Sequence, residues 1–259
     1  MRHARVLAVT AVLAVPALLA VAIAQTSVSA LPDHEQVEVA SLDAPSMANT
    51  TWGDPQAGQA KAAACVACHG IDGNSGMDMY PSIAGQNERY IAEQMGLIAS
   101  GQRGGMAVAM LPFVTDLSAQ DMRDIGAWYA SQKASAGLAD DTPISEGPLA
   151  GQPFYATGQQ LYRGGDAQRG IPACIACHGG TGAGNPGPGW PHVAGQHASY
   201  IAQRLQQYRS GEHTLADDSQ FQIMHQVARQ LSDAEIQSLS SYLQGLHPAR
   251  DDAKVAAAP

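Results

Sequence analysis

The chain has 259 residues, a formal net charge of −9, 45% hydrophobic and 5% aromatic residues, and only four cysteines. The acidic balance argues against a nucleic-acid partner. Few aromatic side chains leave little large apolar surface to bury, so small domains of this composition need additional stabilisation.

Residues 1–24 have the pattern of an export signal. Arg2 and Arg5 form a short basic head, and an apolar run extends from Val6 to Ile23. We expect cleavage after Ala24, with a second small-residue site a few positions later. Because the apolar run is about long enough to stay in a bilayer, an uncleaved membrane anchor is the alternative. Removal of this segment takes away two basic residues and lowers the net charge to −11.

Residues 25–50 carry four acidic side chains and no lysine or arginine, and they have little apolar periodicity. This composition is typical of a flexible leader. Residues 51–133 form the first predicted globular unit. In it, Asp54 and Pro55 predict the start of a helix, and Ser118 with Asp121 predicts a capping box at the start of the last one. A helical apolar stripe between them ends before Gly101 and comprises Tyr90, Ile91, Met95, Leu97 and Ile98.

A Cys-x-x-Cys-His motif occurs twice, as Cys65, Cys68 and His69 and again as Cys174, Cys177 and His178. Two thiols three positions apart on one helical turn can bond to one edge of a haem, and the next residue can direct its imidazole at the iron. This is the pattern of c-type haem attachment. The two motifs use all four cysteines, so none remains for a disulfide.

Two alternatives to haem attachment are a structural zinc site and a thioredoxin-like redox pair. A structural zinc site needs further ligands near each cysteine pair, and neither half of the chain has a spare cysteine. A thioredoxin-like pair needs a βαβ context, whereas the flanks here are rich in alanine and glycine and have helical periodicity. No segment convincingly predicts a strand. We therefore expect an all-α protein with two covalently bound haem c groups, each forming most of a small core.

Residues 134–153 are rich in glycine, proline and acidic residues and predict a linker. Residues 154–249 then repeat the first unit, and residues 250–259 are expected to be a disordered tail. His69 matches His178 at an offset of 109 residues, and Gln86 matches Gln196 at 110. The capping boxes match at an offset of 114. This shared order indicates duplication of one domain.

The repeat also selects candidates for the second axial ligand of each iron. Met224 is the only methionine of the second unit and lies seven residues before Leu231. Met110 lies seven residues before Leu117, which makes it the candidate in the first unit, with Met106 as its rival. Methionine opposite histidine raises the haem potential relative to two histidines.

A ligating imidazole usually donates its other N–H to a fixed acceptor. The carbonyls of Pro81 and Pro191, which lie 12 and 13 residues after their histidines, are the candidates.

Four features of the sequence occur together: the paired motifs, the two Pro-x-x-Ala-Gly-Gln-x-x-x-Tyr-Ile segments, the Leu161–Gly165 stretch and the methionine before each Leu-Ser. In this combination the chain resembles the dihaem cytochrome c4 family, whose members are tandem class I c-type cytochromes. The resemblance covers about residues 51–247. It implies two cytochrome c domains related by a pseudo-twofold axis, with the haem propionates meeting near the interface. The sequence departs from the family pattern around 104–113, which affects the choice of ligand there.

These features predict a periplasmic single-electron carrier and not an enzyme. Its expected partners are a quinol-oxidising complex or a dehydrogenase as donor and a terminal oxidase as acceptor, and membrane association stays open. One alternative is a dihaem subunit of a periplasmic oxidoreductase. Another is a dihaem enzyme such as a peroxidase or a thiosulfate dehydrogenase. A peroxidase needs an open iron position, and a cysteine-ligated enzyme haem needs a fifth cysteine, which the chain lacks.

Overall fold

The computed structural model describes residue 47, residues 49–211, residues 219–249 and residue 251. The predicted signal 1–24, most of the leader and most of the tail lie outside these residues. Within the described part there are ten α-helices, short 3₁₀ segments and three isolated β-bridges, but no strand. The all-α prediction is confirmed. None of the described helices has the length and apolar character needed to span a membrane.

The first unit contains five helices and two 3₁₀ segments. The helices are α1 (Pro55–Lys61), α2 (Val66–His69), α3 (Glu88–Ala99), α4 (Leu111–Val114) and α5 (Ala119–Ala130), and the 3₁₀ segments are Ala62–Cys65 and Gly105–Met110. Asp54 caps α1 by accepting a hydrogen bond from the Gln56 amide at 2.8 Å. Ser118 and Asp121 form the predicted capping box at the start of α5. α5 packs against both α1 and α3.

The second unit has a matching set of helices. They are α6 (Phe154–Gly164), α7 (Ile175–His178), α8 (Ala198–Ser210), α9 (Ser219–Ala228) and α10 (Asp233–Gly245). Ser232 and Glu235 form the second predicted capping box, at the start of α10. α10 packs against α6 and α8, and α8 packs against α9.

Each unit has its own hydrophobic core. Ile91, Ile125 and Tyr129 belong to the first, and Tyr162 and Leu239 to the second. Met47, which lies in the predicted leader, packs against the first core, so the end of that segment is held in place. Both cores border the cavity described below.

The segment 134–153 is anchored to both units. The Ser135 amide donates to the side chain of Asn74 at 2.8 Å. Farther along, the Gly137 amide donates to the Gln244 carbonyl at 3.0 Å, and the Asp140 amide donates to the Ser241 hydroxyl at 2.7 Å. These contacts hold the connection along the last helix of the second unit.

Candidate haem sites

Each Cys-x-x-Cys-His motif occupies a tight helical turn that ends in a glycine. Gly70 and Gly179 follow the two histidines with φ values of 82° and 75°, a conformation that side chains with a Cβ rarely adopt. All four cysteines are partly exposed. Burial raises the pKa of the Cys174 thiol to about 11, because an apolar environment disfavours the thiolate. This environment suits a neutral sulfur bonded to the edge of a haem.

The motif histidines are buried and fixed in orientation. Nδ1 of His69 lies 2.8 Å from the carbonyl oxygen of Pro81, and Nδ1 of His178 lies 3.0 Å from that of Pro191. A carbonyl only accepts, so each Nδ1 carries the proton and the lone pair remains on Nε2. Burial lowers the pKa of both imidazoles, and the carbonyl contacts oppose this only in part. Each ring is therefore kept neutral, as a ligand to iron must be.

The two candidate methionines both reach the cavity that contains these histidines. Met110 and Met224 line it, and each packs partly buried against the core of its unit. Met106 does not line it. Its side chain is 53% exposed, and its sulfur lies 2.9 Å from Nε2 of Gln203. Met95 is buried in the first core and also borders the cavity.

An open cavity of about 1340 Å³ extends from one motif to the other. His69 and His178 both line it, together with apolar residues of both units such as Ile91 and Ile201. A second cavity, of about 840 Å³, borders the second motif and is lined by Cys177 and Met224 among others. The apolar lining and the position of the motifs fit two flat, largely apolar macrocycles that approach each other across the boundary between the units.

Two arginines that line the larger cavity, Arg103 and Arg204, give an independent test of this fit. Arg103 donates to Gln94 at 2.7 Å and to Tyr200 at 2.9 Å, but its buried Nε has no hydrogen-bond partner among the described residues. Arg204 donates to the side chains of Gln207 and Tyr208. Within the described part of the chain, neither arginine forms a salt bridge with a carboxylate. The propionates of haem c would supply the missing anions, so the residues present fit the group.

Nothing in the local sequence around Arg103 and Arg204 marks them, so they could not be predicted as part of the site. Several further histidines belong to the second unit. Of those, His225 contacts the Tyr208 carbonyl at 2.7 Å, and His197 contacts the Ser75 carbonyl of the first unit at 3.1 Å. Burial lowers the pKa of His192, which is close to Gly85 of the first unit. His213 lies outside the described residues.

Comparisons with known proteins agree with this arrangement. The family described as "Cytochrome c" matches residues 155–247, and the family described as "Cytochrome C oxidase, cbb3-type, subunit III" matches residues 53–128. Each match includes one Cys-x-x-Cys-His motif. The chain therefore carries two covalent haem c groups.

Individual relatives cover most of the chain. Cytochrome c4 of Pseudomonas aeruginosa is 45% identical over 195 residues, which is 75% of this chain and 90% of that protein. A thiosulfate dehydrogenase electron acceptor of Thiomonas intermedia is 32% identical over 217 residues, which is 82% of this chain and 91% of that protein. The crystal structure of reduced cytochrome c4 from Pseudomonas stutzeri is 42% identical, has a TM-score of 0.66 and covers 75% of this chain and all of that one. The chain belongs to the cytochrome c4 family of electron-transfer proteins.

Proposed function

We propose that the protein is a periplasmic carrier that takes single electrons from a respiratory donor and passes them to a terminal oxidase. The observation that carries this proposal is the cavity that joins both motifs, lined by His69 on one side and His178 on the other. Residues of both units would hold two haems in this one apolar space, where an electron would pass between them without entering the solvent. Haem iron supplies the one-electron chemistry when bound, and the chain holds and shields it.

The proposed ligand sets follow from the residues that reach the cavity. His69 and Met110 bind one iron, and His178 and Met224 bind the other. Each set leaves no open position for a substrate, and the thioether sulfur favours the ferrous state and raises the potential. Pro81 and Pro191 fix the two imidazoles by accepting their Nδ1–H groups. Each haem is tethered by the cysteine pair of its own unit.

Location and partners complete the proposal. Residues 1–24 direct export, which places the protein where c-type haems are attached. Residues 51–133 and 154–249 form the two haem domains, joined by 134–153. The donor is a quinol-oxidising complex or a dehydrogenase. Fractionation of the native protein between soluble and membrane fractions tests whether residues 1–24 are retained as an anchor.

Stopped-flow absorption spectroscopy tests the carrier function directly. The ferric protein should be reduced by a purified quinol-oxidising complex with its quinol, and the ferrous protein should be reoxidised by a terminal oxidase. Quinol alone and oxidase buffer alone are the controls. Rapid turnover of hydrogen peroxide or thiosulfate by the isolated protein would instead indicate an enzyme with an accessible iron.

A specific observation favours a second candidate for the donor. One relative, 32% identical over most of both chains, is named as the electron acceptor of a thiosulfate dehydrogenase. We therefore propose a thiosulfate dehydrogenase as an alternative donor. Thiosulfate should then reduce the ferric protein only when that dehydrogenase is present, because the proposed histidine and methionine ligands leave neither iron a position for thiosulfate.

A further inference from the structure

In each unit, one peptide group links the proposed axial histidine to a glutamine of the other unit. The carbonyl of Pro81 accepts from Nδ1 of His69 at 2.8 Å. The N–H of the same peptide group, which belongs to Ser82, donates to Oε1 of Gln196 at 2.9 Å. Gln196 belongs to the other unit, so a continuous hydrogen-bonded chain runs from His69 across the boundary between the units.

The second copy of this arrangement runs in the opposite direction. The carbonyl of Pro191 lies 3.0 Å from Nδ1 of His178. The N–H of that peptide group belongs to His192 and donates to Oε1 of Gln86 at 2.9 Å. His69 is therefore linked through one peptide group to Gln196, and His178 is linked through one peptide group to Gln86.

Both glutamines are held firmly in this position. Nε2 of Gln196 donates back to the Ser82 carbonyl at 2.7 Å, and Nε2 of Gln86 donates back to the His192 carbonyl at 2.9 Å. Each Oε1 also accepts from the amide of the next residue, Asn87 or His197. These contacts fix the amide orientation, so that the oxygen faces the peptide N–H in both copies.

Hydrogen bonds in such a chain strengthen one another. A peptide group whose N–H donates to an amide oxygen becomes more polarised, and its carbonyl becomes a stronger acceptor. A stronger acceptor on Nδ1–H increases electron density on the imidazole and makes it a more basic ligand. Higher ligand basicity stabilises ferric iron relative to ferrous iron and lowers the reduction potential.

We propose that Gln196 and Gln86 are positioning residues that set, across the boundary between the units, the ligand strength of His69 and His178 respectively. Each unit thereby adjusts the potential of the other unit's haem. This inference rests on the proposed ligation of iron by these two histidines.

The test uses the full-length dihaem protein with Gln196→Leu, which removes the oxygen that accepts from Ser82. We expect the potential of the first unit's haem to shift upward in a spectroelectrochemical titration, while the other haem is unchanged. In the diamagnetic ferrous protein, the His69 Nδ1–H proton should shift upfield. Haem resonances are assigned to their unit by contacts with Ile91 of the first unit or Ile201 of the second, both of which line the cavity.

Gln86→Leu is the reciprocal variant and should shift only the second haem and the His178 proton. Ser199→Ala is the matched control, because its hydroxyl donates to the Asp78 carbonyl of the other unit at 2.8 Å but touches neither peptide group. It should leave both potentials unchanged.

If either variant shifted the reduction potentials of both haems equally, the cause would be a general loosening of the interface, and the proposal would be overturned. Unchanged potentials with intact low-spin spectra would also overturn it. The proposed ligation of iron by His69 has a separate test. It is wrong if replacement of His69 leaves the spectrum of the first haem unaltered. If one glutamine variant does not accumulate as folded protein, the other copy tests the same prediction alone.

Discussion

Gly158 in α6 lies against the backbone of Ser238 in α10 so closely that a Cβ added at Gly158 would be 1.9 Å from the Ser238 carbonyl oxygen. A Cβ added at Gly58 in α1 would likewise be 1.9 Å from the Asp124 carbonyl oxygen of α5. The first and last helices of each unit therefore cross at a position where only glycine fits.

Gly158→Ala should destabilise the second unit by about 1–3 kcal/mol, because the two backbones must move apart to admit the methyl group. Guanidinium unfolding followed by far-ultraviolet circular dichroism measures this loss. Gly164→Ala in the same helix is the control, since nothing lies within 4 Å of its added Cβ. A variant at Gly158 as stable as the control would contradict the crossing described here.

Met110→Ala and Met224→Ala should each open one haem. We expect the ferric protein to lose about half of its methionine-to-iron charge-transfer absorption in each case, and the altered haem to bind carbon monoxide when reduced. Its potential should also fall, because water or a stray histidine stabilises ferrous iron less than a thioether does.

Met106→Ala is the matched control for Met110 and should have none of these effects, since Met106 is exposed and does not border the cavity. The opposite pattern, with an open haem in Met106→Ala and a closed one in Met110→Ala, would reverse the ligand assignment.

Arg103→Leu should lower the reduction potential of at least one haem. A cation in the cavity favours the reduced state, which carries one positive charge less than the oxidised state, and its removal takes that preference away. A spectroelectrochemical titration measures the shift. Arg103→Lys keeps the charge and should retain most of the potential, and Arg229→Leu removes an exposed arginine as the control. Equal potentials in all four proteins would exclude the electrostatic role.

Because of Asp121, we expect the free energy of unfolding to depend on pH in the acid range. Hydrogen bonds from Lys61, followed by those from Ser118, lower the pKa of its carboxyl from 3.8 to about 2. A carboxylate with a lowered folded-state pKa stabilises the protein above the unfolded value, and this contribution is lost as the pH falls from about 4 to about 2. Asp121→Asn should thus be about 1 kcal/mol less stable than the parent at pH 7.

Most of the difference between Asp121→Asn and the parent should be lost near pH 2, where the Asp121 carboxyl is protonated in the unfolded state and half protonated in the folded state. Free energies of unfolding at the two pH values give the comparison. Asp116→Asn, at an exposed position five residues earlier, should differ little from the parent at either pH. A penalty for Asp121→Asn that is as large at pH 2 as at pH 7 would assign its effect to packing instead of charge.

Local chemistry explains which features were predictable. The capping boxes at Ser118 and Ser232 depend on residues three positions apart, and both are present as predicted. By contrast, Gln196 and Ser82 are separated by 114 residues, and their contact depends on how the two units pack. The repeat marked both glutamines as equivalent but could not indicate that each reaches into the other unit. Arg103 was missed for the same reason.

The glutamine contacts have a consequence for how the two halves could diverge after duplication. Gln196 and Gln86 bind only backbone atoms of the residues opposite them, which are Ser82 in one half and His192 in the other. Substitution at either position leaves the bonded groups in place, provided that the new residue keeps its N–H. Side chains on the two sides of the boundary were thus free to drift apart in size and polarity while the halves stayed joined.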